Sequence, residues 1–157
     1  MERPQGPYEQ LFSRRGICFV REDGALRVEG ALAGGRYELP GNVSSQFITG
    51  LLYALPLLEG DSEIVLTTPL ESEGYVNMTL DALARFGVRV DRREQGWHVP
   101  GGQTYVPRDA AVESDYSQAA FYYAVRLLGS PVEIQGLNPN SAQGDAVILE
   151  YCKRLSG

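Results

Sequence analysis

Apolar positions along this chain switch repeatedly between two periods, and the switches mark out its elements. Tyr8, Leu11 and Phe12 recur at helical spacing within Pro7 to Arg15, and Gly16 supplies a C-terminal stop. Ile17 to Val20 is a short apolar run that predicts a strand. The turn Glu22-Asp23-Gly24 follows, then strands near Leu26 to Glu29 and Arg36 to Leu39, separated by Gly34-Gly35. From Ser44 to Leu58 the pattern is helical and apolar almost all round, which predicts a deeply buried helix. A strand at Glu63 to Thr67 leads to a second helix at Tyr75 to Phe86, with Val76, Leu80, Leu83 and Phe86 along one side and Gly87 as its stop. Strands at Val88 to Asp91, Trp97 to Val99 and Thr104 to Val106 come next. A second all-round apolar helix at Ser117 to Leu128, a strand at Val132 to Gln135 and a helix from Gly144 to Leu155 complete the series.

The series repeats with a period of about 70 residues. Ser45-Gln46 opening a helix recurs as Ser117-Gln118, Glu63-Ile64 as Glu133-Ile134, and Ser72 as Ser141. The helix ending at Phe86-Gly87 before Val88 is foreshadowed by the one ending at Gly16 before Ile17, and Gly34-Gly35 has its counterpart in Gly101-Gly102. The expected fold class is α+β with alternating elements: βαβαββ two-layer units with mixed sheets, packed through centrally placed helices. One complete unit, about residues 36–100, is expected between two incomplete ones, as in a piece of a longer protein.

Composition narrows the function classes. Of 157 residues, 43% are hydrophobic and 22% charged, a globular balance with enough chain for a substantial core. The formal net charge of -6 argues against a nucleic-acid partner held by bulk electrostatics. Cys18 and Cys152 lie far apart and form no metal-binding or redox spacing. With no charged-then-apolar leader and no long apolar run, the expectation is a cytoplasmic chain without a membrane partner.

Candidate chemistry converges on the start of the Ser44 helix. Ser44 there can serve as an N-cap, which needs one hydroxyl. Ser44, Ser45 and Gln46 together offer two hydroxyls and an amide beside unpaired N–H donors, a setting that favours a phosphate or carboxylate. The loop at Pro69 to Tyr75 precedes the next helix of the same unit, so Ser72 and Tyr75 are candidates to face the same cleft. Arg3, followed by a proline, is the candidate guanidinium for bidentate anion recognition. Asp115 reads as a helix cap, and His98, alternating with Trp97 and Val99, as a solvated strand residue. No nucleophile, base and orienting acid form a set.

The stretches G-N-V-S-S-Q-F-I-T-G-L-L at Gly41, E-S-E-G-Y-V-N-M-T-L at Glu71, F-G-V at Phe86, E-S-D-Y-S-Q-A-A-F at Glu113 and G-L-N-P-N-S-A-Q-G-D at Gly136 together resemble the EPSP synthases. The resemblance runs over essentially the whole chain in order, and implies about a third of a usual member, from its N-terminal half. It implies an enolpyruvyl transferase-like fold and transfer of the enolpyruvyl group of phosphoenolpyruvate to the 5-hydroxyl of shikimate 3-phosphate, with no cofactor. On this resemblance Ser44, Ser45 and Gln46 are shikimate-phosphate contacts, Ser72 a further phosphate ligand, Tyr75 the residue beside the shikimate ring and Arg3 a phosphoenolpyruvate contact. The family's acid and base carboxylates and the basic residues of its second lobe have no counterpart here, so the resemblance implies no catalytic residue in this stretch and a need for the remaining lobe. Glu73-Gly74 departs from the family's more usual basic or neutral residue followed by proline, and places a carboxylate near the expected phosphate. A relative of the UDP-N-acetylglucosamine enolpyruvyl transferases and a non-catalytic module binding a phosphorylated metabolite are the alternatives.

Overall fold

The computed structural model describes residues 5–155. They divide into two compact units, one running to Pro107 and the other from Arg108. In the first unit, helix α1 (Gly6–Ser13) leads into a two-stranded hairpin, β1 (Cys18–Glu22) and β2 (Ala25–Glu29), turned at Asp23-Gly24. Strand β3 (Gly35–Leu39), helix α2 (Ser45–Ala54), strand β4 (Ser62–Leu66), helix α3 (Glu73–Arg85) and strands β5 (Asp91–Arg93) and β6 (Gly96–Val99) follow. These four strands form one mixed sheet in the order β3-β4-β6-β5, with β3 parallel to β4 and the remaining pairs antiparallel.

Strand alternation gives this sheet a dry face and a wet one. Tyr37, Ile64 and Trp97 lie side by side in register on the dry face and are almost fully buried. Two arginines close the ends of that row: Arg15 lies 3.6 Å over the Tyr37 ring, and Arg92, the register partner of Trp97, lies 4.6 Å over the indole. Helix α2 adds Phe47, Ile48, Leu51 and Leu52 to the core, and α3 adds Val76 and Leu83. On the wet face Arg36 pairs with Glu38 at 2.8 Å and with Glu63 at 3.4 Å.

Local chemistry sets the ends of the elements. Pro56, which cannot supply an N–H to the α-helical ladder, converts the end of α2 into a 3-10 turn at Leu55–Leu57. Helices α1 and α3 end alike. A left-handed glycine, Gly16 or Gly87, lets the next residue reach back, so that Ile17 N donates to Phe12 O and Val88 N to Leu83 O, both at 2.9 Å. Where β3 and β4 begin and β6 ends, the backbones nearly touch. A Cβ on Gly34 would lie 2.6 Å from Gly60 O, and one on Gly101 would collide with the same carbonyl.

Three expected strands differ. The stretch from Val88 enters the sheet only at Asp91, because the Gln103 side chain takes both backbone groups of Arg89, accepting from its N–H at 2.7 Å and donating to its C=O at 2.9 Å. Thr104 to Val106 joins no ladder. Val106 N donates to Phe86 O at 2.8 Å and Tyr105 OH to Tyr53 O at 2.8 Å, so this segment is pinned to helix ends. Val132 to Gln135 forms no strand in the second unit.

That second unit holds helix α4 (Tyr116–Leu127), a 3-10 turn (Gly144–Val147) and helix α5 (Ile148–Leu155). The expectation of a deeply buried α4 does not hold. Only Tyr116 and Ala119 are buried, and Phe121 is 71% exposed. An all-round apolar helix needs layers on both sides, and this unit sets against it one 3-10 turn and one short helix. Among the described residues no helix is long and apolar enough to cross a membrane.

Candidate functional site

The site candidates of the first unit sit where the parallel strands β3 and β4 end, a position where open sheets commonly bind ligands. Ser44 has extended backbone (φ −165°, ψ 130°), and its Oγ accepts from Gln46 N at 3.3 Å, so it is the N-cap of α2. No acidic residue lies in the first turn of α2, which leaves the partial positive charge of that end uncancelled locally.

The loops after β3 and β4 are stitched together. Gly41 N donates to Thr68 Oγ1 at 3.0 Å, Thr68 Oγ1 donates to Asn42 Oδ1 at 2.9 Å, and Glu71 N donates to Gly41 O at 3.0 Å. Only a glycine admits this approach: a Cβ at Gly41 would lie 2.8 Å from the carbonyl oxygens of both Thr68 and Pro69. Ser72 ends the second loop in the left-handed region (φ 58°, ψ 39°), makes no capping bond and begins α3. Strain of this kind at a non-glycine residue costs of order 1–3 kcal/mol and is a common mark of functional positions.

A pocket of about 480 Å³ opens beside the cap, lined by Gln5, Tyr8, Val43, Ser44, Gln46, Phe47 and Gly50. It brings Ser44 and Gln46 together and leaves Ser45, Ser72 and Tyr75 outside its lining. Tyr75, in the first turn of α3, is 60% exposed. Glu73 reaches Arg92 at 3.7 Å, an exposed pair that offsets part of its charge. Arg3 lies outside the described residues.

The repeat allows an internal comparison. In the second copy Asp115 caps α4 by accepting from Ser117 N at 2.7 Å, as its sequence position predicts, and Ser117 Oγ is held by Asp145. Ser141, the counterpart of Ser72, donates its hydroxyl to Glu113 Oε1 at 2.6 Å. These hydroxyls are occupied by carboxylates. Among the described residues the side chains of Ser45, Gln46, Ser72 and Tyr75 make no hydrogen bond, so the first copy keeps its donors open.

The profile of the family described as EPSP synthase (3-phosphoshikimate 1-carboxyvinyltransferase) matches residues 6–156. The chain belongs to the EPSP synthase family. A 3-phosphoshikimate 1-carboxyvinyltransferase from Clostridium botulinum strain Eklund 17B is 42% identical over 158 residues, covering 99% of this chain and 36% of the relative. One from Clostridium kluyveri is 44% identical over 158 residues, covering 99% and 37%. The solved EPSP synthase from Acinetobacter baumannii superposes with a TM-score of 0.66 at 24% identity, over 98% of this chain and 35% of that one, which shows the same fold. The chain thus spans little more than a third of the length of these EPSP synthases.

Several features of this family member escape the sequence pattern. Gln5, Tyr8 and Gly50 line the pocket, although Tyr8 reads only as a core position of α1. Its polar tip, on an otherwise apolar face, is the one signal available. His98 is not a solvated strand residue either. Its ring is 23% exposed and lies between Asp61, 3.3 Å from Nε2, and Asp91, 3.5 Å from Nδ1. These carboxylates come from a loop and a neighbouring strand, which strand alternation does not reveal.

Proposed function

We propose that this chain forms the shikimate 3-phosphate-holding part of a 3-phosphoshikimate 1-carboxyvinyltransferase of the shikimate pathway of aromatic amino acid biosynthesis. The whole enzyme transfers the enolpyruvyl group of phosphoenolpyruvate to the 5-hydroxyl of shikimate 3-phosphate and releases phosphate. The carrying observation is the open set of donors at the ends of β3 and β4, two of which, Ser45 and Ser72, have counterparts in the second copy, Ser117 and Ser141, that are occupied by carboxylates. Ser44, Ser45 and Gln46 contact the substrate phosphate, Ser72 adds a further hydroxyl, and Tyr75 flanks the ring. Arg3 contacts phosphoenolpyruvate. In domain terms residues 1–157 are part of an N-terminal lobe, with one complete βαβαββ unit between two incomplete ones, acting in the cytoplasm.

Chemistry at the 5-hydroxyl needs a proton donor and acceptor and groups that stabilise developing charge. Among the described residues no such set accompanies the donors at this site, and on this reading the chain by itself binds and does not turn over. Titration calorimetry with shikimate 3-phosphate tests the binding role. The parent is expected to give heat and Ser44→Ala and Ser45→Ala to give less; equal heats for all three would refute it. Phosphate release from the two substrates by this chain alone would show that the catalytic groups lie within it, whereas release only after adding the separately produced remaining lobe supports the division of labour.

A further inference from the structure

The Tyr8 side chain is held from three sides. Its ring stacks on Phe12 at 4.9 Å and meets Phe47 edge-on at 4.7 Å, and burial raises its phenol pKa to about 12, so the hydroxyl stays protonated at neutral pH. That hydroxyl donates to Phe47 O at 2.9 Å, and Phe47 lies in the first turn of α2, one residue after Gln46. The oxygen also occupies the space beside Gly50, where a Cβ would collide with it. Contact of α1 with the pocket thus passes through a phenol fitted into a notch on α2.

We propose that Tyr8 is a positioning residue for the anion-holding end of α2, fixing the direction of the Ser45 and Gln46 donors through its bond to Phe47 O. The inference rests on the function proposed above in that the anion is shikimate 3-phosphate, but the geometric claim stands apart from it. A carbonyl in the first turn that accepts from outside the helix resists rotation of that turn. Donors 2.7–3.1 Å from a phosphate oxygen lose strength quickly when misaligned. Tyr8 does not need to touch the ligand to have this effect.

The test compares Tyr8→Phe, which removes only the hydroxyl, with Phe12→Leu, which removes the stacked ring and leaves the hydroxyl. Amide spectra of the 157-residue chain are recorded without ligand and during titration with shikimate 3-phosphate. Ligand-free, Tyr8→Phe is expected to move the Ser45, Gln46 and Phe47 amide signals and Phe12→Leu to leave them in place. On titration, Tyr8→Phe is expected to bind about fivefold more weakly, the worth of roughly one neutral hydrogen bond, with Phe12→Leu binding as the parent does. If the two variants weaken binding in proportion to their loss of stability, Tyr8 is merely structural and the proposal falls. Unmoved ligand-free signals in Tyr8→Phe also overturn it. A parent chain that binds no shikimate 3-phosphate overturns the functional reading alone, since the ligand-free spectra still decide the role of Tyr8.

Discussion

Gly41 and Thr68 are joined by a hydrogen bond of 3.0 Å from the glycine amide to the threonine hydroxyl, which in turn donates to Asn42. One hydroxyl thereby fixes the loop after β3 to the loop after β4. Thr68→Val keeps the shape and removes both bonds. It is expected to cost about 1–2 kcal/mol of stability by urea unfolding and to weaken shikimate 3-phosphate binding several-fold. Unchanged affinity in a folded variant would separate the staple from the site.

Thr49 of α2 and Thr79 of α3 face each other with hydroxyls 2.9 Å apart, and Thr79 also donates to Tyr75 O at 3.0 Å. Thr79 is buried, so Thr79→Val strands the Thr49 hydroxyl and is expected to cost about 1–2 kcal/mol. Thr49→Val with Thr79→Val removes both partners and is expected to cost less than the sum of the single changes, a coupling of about 0.5–1 kcal/mol in a double-mutant cycle. Simple additivity would mean that the two hydroxyls do not act on each other.

A pH dependence follows from the carboxylates around His98. The Gly101 amide, at 3.0 Å, holds the Asp61 carboxyl below the ordinary value of 3.8, with help from His98. Asp91 is lowered chiefly by its bonds to Arg89, again with a contribution from His98. A depressed folded pKa adds stability that is present above the unfolded value and lost as pH falls through the folded one. Stability of the first unit is therefore expected to drop below pH about 4, and more shallowly in His98→Asn, read from thermal unfolding across pH 2–6. Identical acid limbs would exclude an effect of the imidazole on these carboxylates.

How much was readable beforehand differs by kind of feature. The two glycine-terminated helices, the Ser44 cap and the order of strands and helices from Arg36 to Val99 follow from local pattern, because each is fixed by residues a few positions apart. Residues 88–90, 104–106 and 132–135 look equally strand-like, but a strand exists only through its partner. Gln103 intercepts the first, helix ends capture the second, and the third joins no ladder among the described residues, its Gln135 O accepting instead from the Ser114 hydroxyl. At the site, Ser44 and Gln46 could be named because a helix start announces itself locally. The reach of Tyr8 to Phe47, 39 residues away, and of Thr68 to Gly41, 27 away, depends on tertiary approach that no spacing rule encodes.

The glycines crowded around Gly60 carry a further consequence. At that end of the sheet the main chains of Gly34 and Gly101 close on one carbonyl and leave no space for side chains, whereas at the other end the two stitched loops carry polar groups with free valences. Change is therefore tolerated asymmetrically. Grafting new specificity belongs at the loops after β3 and β4, and an insertion near Gly34 or Gly101 would pry open the foundation on which those loops stand.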